Sequence, residues 1–120
     1  MPAKRLVPDV EHLGEFEILV LGATIAVRDD PYGVPIQEEV AQRASRYVSR
    51  GAVYATLQRL EDKGFVSSWV GDPAPERGGR AKRYYKVNEE RLKPVLRNTH
   101  DRYRKLTGPL NEVIAALGGV

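Results

Sequence analysis

Residues 76–87 read ERGGRAKRYYKV, in which Arg77, Arg80, Lys82, Arg83 and Lys86 set five cations against the single acid Glu76. Positive charge at this density neutralises a polyanion. Gly78 and Gly79 let the backbone lie close to such a partner. Tyr84 and Tyr85 alternate across an extended strand, so one of the two is expected in the core. A second stretch, SRGAVY at 49–54, suits the same partner. Ser49 is a good N-cap. The backbone N–H groups around Gly51 and Ala52 face an anion at the positive end of a helix. Arg50 can reach guanine O6/N7 or a phosphate, and the sequence leaves both open. Tyr54, one turn on, either donates its hydroxyl to a phosphate or lies half-buried beside Val53 and Leu57.

Other chemistries find no support in the residues. GGRAK lacks the spacing of a phosphate-gripping loop. His12 and His100 stand far apart and there is no cysteine, so no metal-ligand spacing exists and no cofactor is expected. The acidic pairs Asp29-Asp30 and Glu38-Glu39 read as solvated surface, and no nucleophile–base–acid set stands out, so an enzyme is not expected. The chain has 120 residues, 42% hydrophobic and 29% charged, with net charge +3, which fits one folded domain of mildly basic character. The absence of cysteine is compatible with a reducing compartment. The apolar run FEILVLGATIAV carries Glu17 and is too short for a bilayer, so a cytoplasmic protein without a membrane partner is expected.

Residues 1–11, with Pro2, Pro8 and the pair Lys4-Arg5, are expected to form a flexible arm. From Leu13 to Val27 the chain is apolar nearly all round; Ile18–Leu21 would suit a strand, but the length favours a buried helix. RDDPYG breaks it. Pro35 suits the first position of a second helix, with Ile36, Val40 and Ala44 along its inner face to about Ser45. A third helix over 49–63 buries Val53, Leu57 and Leu60, and Gly64 follows as its stop. FVSSWV and RYYKV then read as two antiparallel strands joined by a long mobile loop containing GDPAPERGGRA. From Asn88 a last helical stretch carries a seam of Leu92, Leu96, Thr99, Tyr103, Leu106, Leu110, Val113 and Leu117 in alternating steps of four and three, which fits a partner helix. Pro94 and Gly108-Pro109 are expected to kink or interrupt it into two or three pieces.

The order helix, helix, helix, strand, basic loop, strand, helix is a winged helix-turn-helix: mostly α with a small β-hairpin, over 12–88, followed by a C-terminal dimerisation segment at 89–120. In that scheme the helix at 49–63 enters the major groove of double-stranded DNA and the wing at 71–83 lies on the backbone or in the minor groove. A small monomer offers little cover for a first helix apolar on all sides, which favours a homodimer. Two other roles fit the same fold: a protein-interaction module that meets an acidic partner with the basic loop, and a nonspecific architectural DNA binder.

LGEFEILVLGAT, PYGVPIQEEV, SRGAVYATLQRLEDKGFV and GGRAKRYYKVNEE together make the chain resemble the PadR-like transcriptional regulators across residues 13–90. The resemblance implies a homodimeric repressor on a palindromic operator, of the smaller subgroup with a single C-terminal dimerisation helix. By position it implies DNA contacts from Ser49, Arg50, Gly51 and Tyr54 in the helix and from Arg77, Arg80, Lys82 and Arg83 in the wing. It also raises an aromatic effector, with Trp69, the single tryptophan, lining a pocket at the dimer interface; the plainer reading packs Trp69 under the hairpin or at the dimer contact. The sequence departs from the family where Ala55 replaces a frequent proline, where Pro73 and Pro75 lengthen the wing, and where Pro94 and Pro109 enter the last helix.

Overall fold

A computed structural model describes residues 10–72 and 81–118. The first helix, α1, runs over Glu15–Ala26. Its first turn is closed by Glu17, whose Oε1 accepts the Gly14 N–H at 2.9 Å, a side-chain reach-back that satisfies a donor with no partner inside the helix. Val20, Leu21, Ala23 and Thr24 are buried, whereas Ile25 is 47% exposed, so the far end of the apolar run is not covered all round.

The second helix, α2, spans Gly33–Ala44 and buries Ile36 and Val40. It starts two residues earlier than Pro35 predicts. Tyr32 is its extended N-cap, and Pro35 sits in the first turn, where a missing N–H leaves no intrahelical bond unmade. The helix ends on Ser45, which takes the left-handed conformation at φ 55°, while the Arg46 N–H bonds back to the Ala41 carbonyl at 3.2 Å. This reversal aims the chain into the third helix, α3, at Arg50–Asp62. Ser49 caps α3 as its sequence predicts, with Oγ accepting the Ala52 N–H at 3.1 Å. Val53, Leu57 and Leu60 are buried without remainder, and Gly64 stops the helix at φ 82°.

Two antiparallel strands follow, β1 at Val66–Val70 and β2 at Arg83–Val87, in the register Val66↔Val87 to Val70↔Arg83. Period-two alternation places Tyr85 and Val87 in the core and leaves Tyr84 half-buried. The ladder continues one step beyond the strands, where the Gly71 N–H donates to the Lys82 carbonyl at 2.8 Å. Pro73, Pro75, Arg77, Gly78, Gly79 and Arg80 lie outside the described residues, so the predicted wing is described at its two roots. An isolated bridge joins Tyr32 to Tyr84, and the Tyr85 N–H donates to the Pro31 carbonyl at 2.8 Å, tying the α1–α2 turn to the hairpin.

The last helix, α4, is continuous over Glu89–Ala116 with Pro94 and Pro109 inside it. The predicted break into pieces does not occur. Each proline removes one N–H and orphans one carbonyl, that of Glu90 and that of Lys105. All four residues are exposed, so water can take the carbonyl that the helix leaves free.

The chain divides into two compact units, Gly14–Leu92 and, within the described residues, 10–13 with 93–118. In the second unit the Leu13 N–H donates to Thr99 Oγ1 at 2.9 Å, and that hydroxyl donates to the Val95 carbonyl at 2.8 Å. Leu13, Val95 and Thr99 are buried. From Tyr103 onward the apolar side chains of α4 are exposed, Leu106, Leu110, Val113 and Ile114 among them, and Leu117 just beyond its end is exposed as well.

Candidate nucleic-acid interface

Ser49, Arg50, Gly51, Ala52 and Tyr54 are all exposed, whereas Val53 between them is buried. One face of the first turns of α3 is thus anchored in the core, and the other presents a hydroxyl, a guanidinium and the N–H groups of Arg50 and Gly51, which have no partner among the described residues, the Ala52 N–H being held by Ser49 Oγ. Arg50 is steered from behind. Gln37, half-buried on α2, donates its Nε2–H to the Val48 carbonyl at 2.9 Å and turns its Oε1 to Arg50 Nε at 3.4 Å. Both terminal nitrogens of the guanidinium have no partner among the described residues, which leaves the bidentate edge outward.

Tyr54 lies against the start of α2. A Cβ at Gly33 would meet the Tyr54 hydroxyl oxygen at 1.9 Å, so only glycine admits the ring there. Around that ring a cleft of about 330 Å³ is lined by Tyr32, Gly33, Tyr54, Lys82 and Arg83. Two of the predicted wing cations and one predicted helix residue therefore meet at a single site. The Lys82 ammonium stands 3.8 Å from the centre of the Tyr32 ring, which holds it at the wing root without neutralising it. Arg83 opens β2, as RYYKV predicts, and its Nη1 donates to Ser68 Oγ at 2.9 Å, whose hydroxyl donates in turn to Glu61 Oε2 at 2.8 Å. Burial, followed by the neighbouring Tyr54 and Glu61, lifts the Tyr85 hydroxyl above the ordinary tyrosine range despite the opposing pull of Arg83.

Trp69 stands apart from these residues. It is 47% exposed on β1 and stacks on Tyr84 with ring centres 5.9 Å apart and planes 20° from parallel. Tyr84 meets Tyr32 edge-on at 5.7 Å, so three rings form a row across the hairpin. Arg77 and Arg80 lie outside the described residues. Leu96 is half-buried on α4, Tyr103, Leu106, Leu110 and Val113 are exposed along it, and Leu117 is exposed just past its end.

The sequence model of the transcriptional regulator PadR-like family matches residues 23–90, more than half of the chain. The chain belongs to the PadR-like family. A comparison with curated proteins finds no match. Solved structures share the fold. A PadR family transcription regulator from Clostridium difficile is 19% identical, with 87% of this chain and 98% of that one covered at a TM-score of 0.55. A PadR family transcriptional regulator from Eggerthella lenta is 20% identical, with 80% of each chain covered at 0.59. A PadR-like transcriptional regulator from Bacillus cereus is 14% identical, with 85% and 88% covered at 0.51. This PadR-like chain is thus a transcriptional regulator with the winged-helix fold that its element order predicts. Among the described residues no helix is long and apolar enough to cross a membrane, and no group of acids or histidines is placed to hold a metal.

Gln37, Gly33 and Tyr32 are the site residues that the sequence reading passes over. Gln37 follows a buried isoleucine and carries no periodic signal, and its role exists only because α2 and the turn before α3 pack together. Gly33 reads in the sequence as part of the RDDPYG break, but it is the first residue of α2 and lies outside the positive-φ region, and its part as the seat of a tyrosine 21 positions later has no local signal.

Proposed function

We propose that this PadR-like regulator acts as a cytoplasmic homodimeric repressor that binds a palindromic operator in double-stranded DNA. The N-terminal end of α3 enters the major groove with Ser49, Arg50, Gly51 and Ala52, and Tyr54 donates to a phosphate at its edge. Lys82 and Arg83 at the wing root, with Arg77 and Arg80 beyond it, follow the backbone. Residues 12–88 serve as the DNA-binding domain and 89–120 as the dimerisation segment, whose contact is made by Leu96, Tyr103, Leu106, Leu110, Val113 and Leu117.

One observation carries the reading: Tyr54 of α3 and the cationic root of the hairpin meet at one cleft, in a chain of net charge +3. A surface of that chemistry matches phosphate on two sides of a groove. The exposed seam of α4 supports the second copy: Tyr103, Leu106, Leu110, Val113 and Leu117 are 40–76% exposed, and full burial of an exposed apolar side chain gains about 1.5–3 kcal/mol.

Selection of bound fragments from genomic DNA, followed by gel shift on the enriched site and on a scrambled version, tests the proposal. The enriched site is expected to be palindromic, with half-sites about 34 Å apart, and to bind more tightly than the scrambled one, with affinity falling steeply as salt rises. Equal affinity for both sequences would leave a nonspecific architectural binder, and no enrichment at all would favour a module for an acidic protein.

A further inference from the structure

Arg83 is held by two elements besides its own strand. From β2 its Nη1 reaches Ser68 Oγ on β1, and that oxygen lies 2.8 Å from Glu61 Oε2 on α3. Chemistry fixes the direction of both bonds: a guanidinium only donates and a carboxylate only accepts, so the one hydroxyl proton goes to Glu61 and a lone pair meets Arg83. Ser68 and Glu61 are half-buried, whereas Arg83 is exposed. Beyond the Nη1 bond its guanidinium has no partner among the described residues. Glu61 stands seven positions after Tyr54, so the two share a face of α3, and Tyr54 lines one cleft with Arg83. All these residues belong to the Gly14–Leu92 unit. The relay is not needed to close the hairpin, which has its own ladder and buries Val66, Tyr85 and Val87.

We propose that Ser68 and Glu61 are positioning residues for Arg83, tying its guanidinium to α3 so that the wing root and the reading helix meet the DNA backbone as one body. The role rests on the reading of α3 and the hairpin root as the DNA surface. An exposed arginine gives up rotamer freedom when it grips a phosphate, and a guanidinium already held at one corner has less to give up. The bond occupies Nη1 alone, which leaves the Nε–Nη2 edge for a bidentate pairing with phosphate oxygens. The hydroxyl between the charges matters as well. Direct contact with Glu61 would set a carboxylate against the arriving phosphate; one hydroxyl further off, Glu61 orients the cation at a smaller electrostatic cost to binding.

The test has one arm without DNA and one with it, both on the full chain. Without DNA, nitrogen relaxation at Arg83 Nε reports how freely the guanidinium moves. Its order parameter is expected to fall in Ser68→Ala and in Glu61→Ala and to recover in Ser68→Thr, which keeps the hydroxyl. With DNA, gel shift uses the duplex that genomic selection enriches. Ser68→Ala changes no charge, yet is expected to weaken binding roughly two- to tenfold, and Ser68→Thr to recover it. In an Arg83→Ala background the same Ser68→Ala change should have almost no effect. A purely structural hydroxyl would instead lower the urea midpoint and cost the same with or without Arg83, and that result overturns the inference. So does an order parameter that ignores both relay variants. Parent-like operator binding by Ser68→Ala, where Arg83→Ala binds weakly, ends the positioning role and leaves the operator proposal standing. Failure of the parent to select any duplex ends both.

Discussion

At the scale of single residues, the proposed reading head depends on side chains that never touch DNA. Gln37 is held by the Val48 carbonyl, and this fixes which end of its amide meets Arg50. Gln37→Leu keeps the volume and removes both bonds. It is expected to cost about 0.5–1.5 kcal/mol in operator binding, roughly two- to tenfold, with binding to scrambled DNA unchanged. A thermal melt separates this from a folding defect, and equal losses on both DNAs would remove the positioning role. Gly33 makes the complementary case. Gly33→Ala drives a methyl into the Tyr54 ring and should destabilise by about 1–3 kcal/mol. In a Tyr54→Ala background the same change should cost far less, and a double-mutant cycle showing simple additivity would refute the contact. Ser49 and Arg50 were legible because capping and charge are local properties. Gln37 and the Gly33–Tyr54 contact were not, because each joins positions that only the packing of α2 on α3 brings together.

At the scale of elements, local signals decided most boundaries, and their exceptions are instructive. Ser45 ends α2 in a left-handed conformation that a side chain adopts at a cost of roughly 1–2 kcal/mol. Ser45→Gly is therefore expected to stabilise the helix-turn-helix, by about 0.5–1 kcal/mol once the freer unfolded chain is counted, visible as a higher urea midpoint with an unchanged slope. The same reasoning misjudged α4, where two prolines were expected to break what remains one helix. A proline costs about 3 kcal/mol in a helix interior, but that cost is local, and an exposed helix can solvate the orphaned carbonyl and continue. Pro109→Ala should then raise the melting temperature without adding a helical segment. The contact from α1 to the end of α3 adds a pH signature. Burial pushes the Glu17 carboxyl up, but the Gly14 N–H and the Lys63 ammonium, 3.0 Å away, outweigh it and hold the group below the ordinary carboxylate range. A lowered folded-state value means stability that is present above the unfolded value of 4.5 and disappears as pH falls through the folded one. The stability gap between the parent and Glu17→Gln should be on the order of 1 kcal/mol at neutral pH and should close in acid. A gap that stays constant from pH 7 to pH 3 would assign it to packing instead of charge.

At the scale of the whole molecule, the exposed seam of α4 and the operator proposal make one joint prediction. Leu110 and Val113 lie on a helix face that nothing among the described residues covers. Placing a carboxylate there, as in Leu110→Glu, opposes burial against a second copy by several kcal/mol and leaves the Gly14–Leu92 unit untouched. Sedimentation is expected to show a monomer at concentrations where the parent is a dimer. The consequence for DNA follows from effective concentration. Two tethered heads bind a palindrome as a chelate, and linking them strengthens binding by about 10²–10⁴ over one head alone without any new contact. Leu110→Glu should therefore lose a factor of that size on the palindrome and almost nothing on an isolated half-site, where each protomer already acts singly. The salt slope on the palindrome should also fall toward the half-site value, since the phosphates neutralised per complex are halved. Loss of affinity on both DNAs alike would mean that the substitution had damaged the reading head. An unchanged palindrome affinity in a proven monomer would mean that the two half-sites are read without each other, and the seam would then need a different partner.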